Sequence, residues 1–240
     1  MSEVQSTDSM FELAESSQLE AIMSELESLT SRSYGQYCGL ARALEVVGER
    51  WALLVVRDLL VRSQTYAELQ RGLPRLPVDI LSTRLRELES AGVVSHTESP
   101  DGLVYALTPL GLELDDILVR LGRWGATLLG APSGEEIVTP SSLVMALRTT
   151  FHQEIAAGLH VSYEIHVGDI VLNARIDDGD LAVGTGPLPD ADLVIEAGLS
   201  LRALMAADIT PEAALAEQLV TVTGNRELLT TFVDLFRIGA

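Results

Sequence analysis

The chain has 240 residues, 35 of them acidic and 16 basic, for a formal net charge of −19, and every basic residue is arginine. At 47% hydrophobic residues it can bury a sizeable core, and its length suits one large domain or two smaller ones. Cys38 is the single cysteine, which excludes an intrachain disulfide framework, and no apolar run approaches the ~20 residues that span a bilayer.

The acidic start MSEVQSTDSMFELAE lacks the basic region and hydrophobic stretch of a secretory signal, so the expectation is a soluble cytoplasmic protein without a membrane partner. Net charge at first argues against nucleic acid, because phosphate binding rests on Arg and Lys. Its distribution reverses that reading. Residues 1–35 carry net −6, residues 36–95 net +1 with eight arginines, residues 96–130 net −3 and residues 131–240 net −11.

Residues 9–30 read as an amphipathic helix within an acidic extension, 1–35. Leu19, Ile22, Met23, Leu26 and Leu29 recur at helical spacing, and Ser9 with Glu12 fits a capping box. Two roles suit it: a helix packed on a domain or partner subunit, or an acidic cover competing with DNA. From Leu40 the helical signals come close together. Leu40, Ala41, Leu44 and Val47 mark a helix stopped near Gly48, and Trp51–Leu60 is apolar nearly all round, as a helix in the middle of a domain is. Thr65 and Glu68 form a second capping box, opening a short helix toward Gly72. Pro74 and Pro77 then force a turn, and Ile80, Leu81, Leu85 and Leu88 make one apolar stripe from Val78 to Ala91. Helix, tight turn and second helix is the helix-turn-helix pattern.

Gly92 ends that helix. Val93–Glu98 and Leu103–Leu107 read as strands around Ser99-Pro100-Asp101-Gly102, the wing of a winged helix. Thr108-Pro109 opens a long helix with Leu110, Leu114, Ile117, Leu118, Leu121, Trp124 and Leu128 on one stripe, a face suited to burial by a second subunit. Opposite the apolar stripe of the preceding helix lie Val78, Asp79, Ser82, Thr83 and Arg86, with Arg75 in the turn before it. Short hydroxyls and arginine forks reach base edges and phosphates, so Ser82, Thr83 and Arg86 are the groove candidates. Arg75 and Tyr66 suit phosphates. Arg84 either reaches DNA or pairs with Glu87, three residues on.

Cys38 through Gly130, with GERWALLVVRDLL, YAELQRGLP, LSTRLRELESAGVV and YALTPLG in order, resembles the HxlR group of bacterial winged-helix transcriptional regulators, relatives of MarR. The resemblance implies a winged-helix domain over 36–130. It also implies a homodimer whose two recognition helices enter successive major grooves of a double-stranded, pseudo-palindromic operator. Two positions depart from the family. The wing tip has no arginine, its flanks offer Glu98 and, as a group able to take up positive charge, only His96, and Cys38 precedes Gly39 where relatives commonly have Cys-Pro. Some relatives use that cysteine as a redox sensor; here it reads first as a buried or interface thiol, with a thiol-based regulator as an alternative.

After a linker at 131–139, Thr139-Pro140 opens a helix with Leu143, Val144, Leu147, Phe151 and Ile155 as its stripe. Leu159–Val167 alternates strictly, and Gly168-Asp169 is a two-residue hairpin loop placing Val167 opposite Ile170 and Ile165 opposite Leu172. Leu181–Val183, Asp192–Glu196 and Leu219–Thr223 read as strands. Ser200–Ala207, a helix from Thr210-Pro211 and a last helix from Asn225 to Phe236 complete the order. That order resembles the sterol-carrier-protein-like domain, carried by ADLVIEAGLSLRALMAADITPEAALAEQLVTVTGNRELLTTFVDLF. The resemblance implies an α+β domain over 140–240, an antiparallel sheet covered by helices. It also implies a small hydrophobic effector lined by Leu147, Phe151, Tyr163, Leu204, Met205, Phe232 and Phe236.

Catalysis is not expected: the chain lacks a glycine-rich phosphate loop and a G-x-S-x-G elbow, and implies no cofactor. His160, Glu164 and His166 share a strand face, but the hairpin register sets Asp177 against His160 and Asn173 against Glu164, ordinary solvated pairings rather than a metal site. The expectation is a regulator sensing an apolar effector; the alternative is a lipid carrier using the winged helix for dimerisation.

Overall fold

The computed structural model describes residues 33–100, 102–129, 136–198 and 200–238. The helix expected over 9–30 and the linker residues 131–135 lie outside them. Two units divide the chain, Met1–Ala52 and Leu53–Ala240.

In the first unit, Cys38 is the N-cap of helix α1 (Gly39–Val47). Glu45 ties the preceding segment to this helix, accepting from Ser33 Oγ (3.1 Å), Tyr34 N (2.8 Å) and Arg42 (2.9 Å). Of the expected stripe only Ala41 is buried; Leu40 and Leu44 are exposed, as are Tyr34 and Tyr37. Trp51 has a left-handed backbone, φ 81°, so helix α2 (Ala52–Val61) starts one residue later than its apolar run.

Helix α2 carries the chain into the second unit. There β1 (Gln64–Thr65), α3 (Tyr66–Gly72), α4 (Val78–Ser90), β2 (Val94–Ser99) and β3 (Gly102–Leu107) follow in winged-helix order. The three strands pair antiparallel as β1-β3-β2, and Val55 and Val56 of α2, Leu69 of α3 and Leu81, Leu85 and Leu88 of α4 are buried. Strand β1 was not expected from sequence; its two residues pair with Tyr105 and Val104. The long helix expected after Thr108 is two, α5 (Pro109–Leu112) and α6 (Asp115–Ala126). They are separated where the N–H groups of Glu113 and Leu114 both turn to Gly111 O, a 3₁₀-type tightening.

Helix α7 (Pro140–Thr150) opens on a Thr139–Ser142 capping box with Pro140 at its first position. It stops at Phe151, whose backbone is extended (ψ 131°); Phe151 is therefore buried beyond the helix, and Ile155, expected on the same stripe, is exposed. Strands β4 (His160–Val167), β5 (Ile170–Asp177), β6 (Asp180–Thr185), β7 (Leu193–Glu196) and β8 (Thr221–Gly224) form one sheet in the order β6-β5-β4-β7-β8. The β4–β5 hairpin has the expected register, Val167 opposite Ile170 and His160 opposite Asp177. The sheet is mixed, which corrects the antiparallel expectation. The chain passes from one edge strand to the far side of β4, and β7 arrives parallel to it, Ile165 beside Ile195. Short helices α8 (Ser200–Met205) and α9 (Pro211–Ala216) precede β8, and α10 (Leu228–Leu235) follows it. Asn225 does not cap α10 directly. Its side chain accepts from Glu227 N (3.2 Å) in the turn leading into that helix.

Helices α6 and α7 join the winged helix to this sheet. Arg123 donates from Nε to Thr149 O (2.9 Å) and from Nη2 to Phe151 O (3.0 Å), satisfying carbonyls at the end of α7. Arg148 pairs with Asp115 at 2.7 Å. Further along, the fully buried Asp58 of α2 has Ser141 beside its carboxyl; burial pushes its pKa up, and Arg57 opposes that.

Candidate nucleic-acid interface

Helix α4 is oriented by local chemistry on both sides. The Thr65–Glu68 capping box starts α3 as expected, with Thr65 N donating to Glu68 Oε2 (2.7 Å) and Arg62 pairing with Glu68 at 2.9 Å. The Arg62 guanidinium and the Thr65 N–H together hold the Glu68 carboxyl at about 2. Between α3 and α4, Gln70 Nε2 donates to Leu76 O (2.7 Å), and Leu73 and Leu76 are buried, so the proline-bearing turn is pinned from below. Gly92, at φ 73°, ends α4 in the left-handed conformation that favours glycine.

The expected outer face of α4 is there. Val78 is 60% exposed, Asp79 and Arg86 are exposed, and Ser82 and Thr83 are half-buried. Ser82 Oγ donates to Val78 O (3.2 Å) and Thr83 Oγ1 to Asp79 O (2.9 Å), each within its own helix. Exchanging such a bond for one to a base edge or phosphate costs about 0.5–1.5 kcal/mol, small against a groove contact. Arg86 makes no hydrogen bond or ion pair with any described residue. Arg75 is exposed in the turn.

Two candidates sit differently. Arg84 is 7% exposed and pairs with Glu87, so it packs inward instead of facing a groove. Leu81, Arg84, Leu85 and Leu88 follow one another at spacings of three, one and three, which is the buried stripe itself, so the spacing held the signal. Tyr66 donates its hydroxyl to Val78 O (2.7 Å) and lies 3.1 Å from Ser82 Oγ. It braces the first turn of α4, a positioning contact beyond the expected phosphate role.

On the wing, His96 pairs with Glu89 at the end of α4 and its ring lies tilted against Tyr105, ring centroids 5.8 Å apart. The wing's imidazole thus already faces a carboxylate. On α6 only Leu118 is buried; Ile117, Leu121 and Trp124 (63%) are exposed, as is Leu110 on α5. Cys38, expected to be buried or at an interface, is exposed, and the N–H groups of Ala41 and Leu40 at the start of α1 hold its thiol below the ordinary range.

The residues proposed to line a ligand site are all buried in one core. Tyr163 meets Phe232 edge-on at 5.2 Å, Phe232 lies 4.8 Å from Phe236, and Phe236 lies 5.6 Å from Phe151. Leu147, Leu204 and Met205 complete that cluster. Among the described residues no group of three His, Cys, Asp or Glu side chains is placed to hold a metal. Glu164 instead pairs with His166 (2.6 Å) and accepts from Leu188 N. No helix among the described residues is long and apolar enough to cross a membrane.

The profile of the HxlR-like helix-turn-helix family matches residues 46–132. An uncharacterised HTH-type transcriptional regulator of Mycobacterium bovis is 36% identical over 115 residues, 47% of this chain and 71% of its own length. YvaP of Bacillus subtilis, also described as an HTH-type transcriptional regulator, is 38% identical over 86 residues, 35% of this chain and 80% of its own. Among solved structures, one assigned to the MarR family from Porphyromonas gingivalis aligns at 25% identity with a TM-score of 0.38, over 39% of this chain and 95% of its own.

Proposed function

The chain belongs to the HxlR-like helix-turn-helix family of transcriptional regulators, and on that premise we propose that two copies pair to read a pseudo-palindromic operator through α4. The observation that carries this reading is Arg86, exposed on the outer face of α4 and unpartnered among the described residues, beside Val78, Asp79, Ser82 and Thr83. An arginine fork fits the O6 and N7 acceptors of guanine in a major groove. Arg75 neutralises phosphate, and Tyr66 keeps the first turn of α4 at the depth these contacts need. The exposed apolar residues of α5 and α6, and separately those around α1, supply the surface a second subunit covers. Two recognition helices then lie about 34 Å apart, one turn of duplex.

The C-terminal region, sterol-carrier-like in its element order, serves as the sensor. A small hydrophobic effector entering between sheet and helices would have to part the Tyr163–Phe232–Phe236 rings, and it regulates only by favouring one DNA-binding state over the other. A mobility-shift titration on the DNA flanking the gene tests the reading. A specific complex of two protomers that weakens steeply with salt is expected, and absence of a specific band at moderate salt contradicts it.

A second reading, a thiol-based regulator, is favoured by the exposure of Cys38 at the start of α1. In that case oxidant weakens operator binding by the wild type and leaves Cys38→Ser unaffected; equal responses of the two proteins exclude it.

A further inference from the structure

We propose that the α6–α7 junction is a binding site for a small amphiphilic carboxylate, held by Arg123 and Arg237 over an apolar floor. A cavity of about 320 Å³ opens there, lined by Arg123 and Ala126 of α6, by Phe151 and His152 after α7, and by Arg237 and Ile238 after α10. That volume is at the lower end of the ~300–1,000 Å³ usual for small-molecule sites.

The walls explain the ligand class. Arg123 hydrogen-bonds only to carbonyls, Thr149 O and Phe151 O; Glu154 on the same rim feels its charge but makes no ion pair with it. Arg123 Nη1 makes no hydrogen bond to a described residue. Arg237 gives Nη2 to Asp234 Oδ1 (2.9 Å), leaving Nε and Nη1 without partners among the described residues. Two guanidinium groups with donors to spare select an anion, and planar forks match a carboxylate well. Glu154 on the same rim is drawn toward His152 Nδ1 (3.0 Å). Beneath the cations the backbone is fixed: His152 N donates to Leu235 O (2.9 Å), Phe151 bridges Phe236, and Ile238 N donates to Met205 O (2.7 Å). Phe151 is buried there and Ala126 and Ile238 add apolar surface, so the anion should carry a compact hydrocarbon body.

The second described cavity, beside His166 and Glu196, has no arginine in its lining and offers an anion no such partner. Because Arg123 also holds the end of α7, a carboxylate that engages it pulls on the contact between α6 and α7. Ligand binding stands apart from the DNA-binding reading; only its effect on operator affinity rests on that reading.

The test is isothermal titration of the full chain, without DNA, with octanoate, 1-octanol and sulfate. Octanoate is expected to bind, and Arg123→Gln and Arg237→Gln each to weaken it roughly tenfold or more, as loss of a charge-assisted hydrogen bond does. Octanol and sulfate should bind at least that much more weakly. No octanoate binding at millimolar concentration overturns the proposal. So does octanol binding as tightly as octanoate, which signals a purely lipophilic site, or sulfate doing so, which signals a bare anion site. Wild-type octanoate affinity in the variants overturns it too. Should Arg123→Gln fail to fold, Arg237→Gln, which leaves α7 capped, decides the matter.

Discussion

Gly122 and Gly125 lie three residues apart on α6, and the same substitution should act oppositely at the two positions. A β-carbon at Gly122 would fall 2.6 Å from Thr149 Cγ2, whereas one at Gly125 meets nothing within 4 Å. Thr149 cannot turn aside freely, because its hydroxyl donates to Ala146 O (3.0 Å). Alanine in place of a helical glycine gains roughly 0.5–1 kcal/mol, and overpacking costs roughly 1–3 kcal/mol. Gly125→Ala should therefore stabilise by about 0.5–1 kcal/mol, and Gly122→Ala should destabilise by about 1–2 kcal/mol. At this size of unit that is a loss of roughly 2–8 °C in Tm. Removing the obstructing methyl with Thr149→Ser in the Gly122→Ala background should restore most of the loss. Urea titrations followed by tryptophan fluorescence, at one fixed protein concentration, give all four stabilities. If Gly122→Ala stabilises as Gly125→Ala does, with Thr149 intact, then α6 does not rest on α7 at these residues, and the route from effector to winged helix is wrong.

Tyr66→Phe removes the brace on Val78 O and Ser82. It should cost about 0.5–1.5 kcal/mol of stability and lower operator affinity several-fold while dimerisation is unchanged, measured by urea titration, fluorescence anisotropy and sedimentation. Glu68 titrates at about 2 when folded against 4.5 ordinarily. Its folded value is depressed, so its contribution is present above pH 4.5 and is lost as pH falls from 4.5 toward 2. Stability should accordingly drop across that window by less in Glu68→Gln than in the wild type. Thr65→Ala, which deletes the N-cap of α3, should cost about 0.5–2 kcal/mol in the same titrations.

Features set by neighbours in sequence were legible in it. Thr65–Glu68, Thr108-Pro109, Thr139-Pro140 and Thr210-Pro211 each start a helix where expected, because capping depends on residues within one turn. The β4–β5 register follows from a two-residue loop and strict alternation. What depends on distant partners was not legible. β1 exists because Gln64 and Thr65 meet Tyr105 and Val104, some forty residues on. β7 runs parallel to β4 because of a crossover that no local pattern encodes. At the interface, the exposed face of α4 was readable from periodicity, and of the two roles open to Arg84 its spacing on the buried stripe already pointed to the Glu87 pairing. The roles of Tyr66 in bracing α4 and of Arg123 in holding α7 needed contacts across elements, and sequence carried no sign of either.

The central claim is that Arg86 on the open face of α4 reads bases. Its most direct test is the ratio of affinities for the gene-flanking duplex and a scrambled duplex of equal length, compared between wild type and Arg86→Ala by fluorescence anisotropy. A lost bidentate base contact costs about 1–3 kcal/mol, so two copies in a dimer should cut the ratio by between about 30- and 20,000-fold while binding to the scrambled duplex falls far less. A wild-type ratio near one, or a ratio that Arg86→Ala leaves intact, contradicts the account.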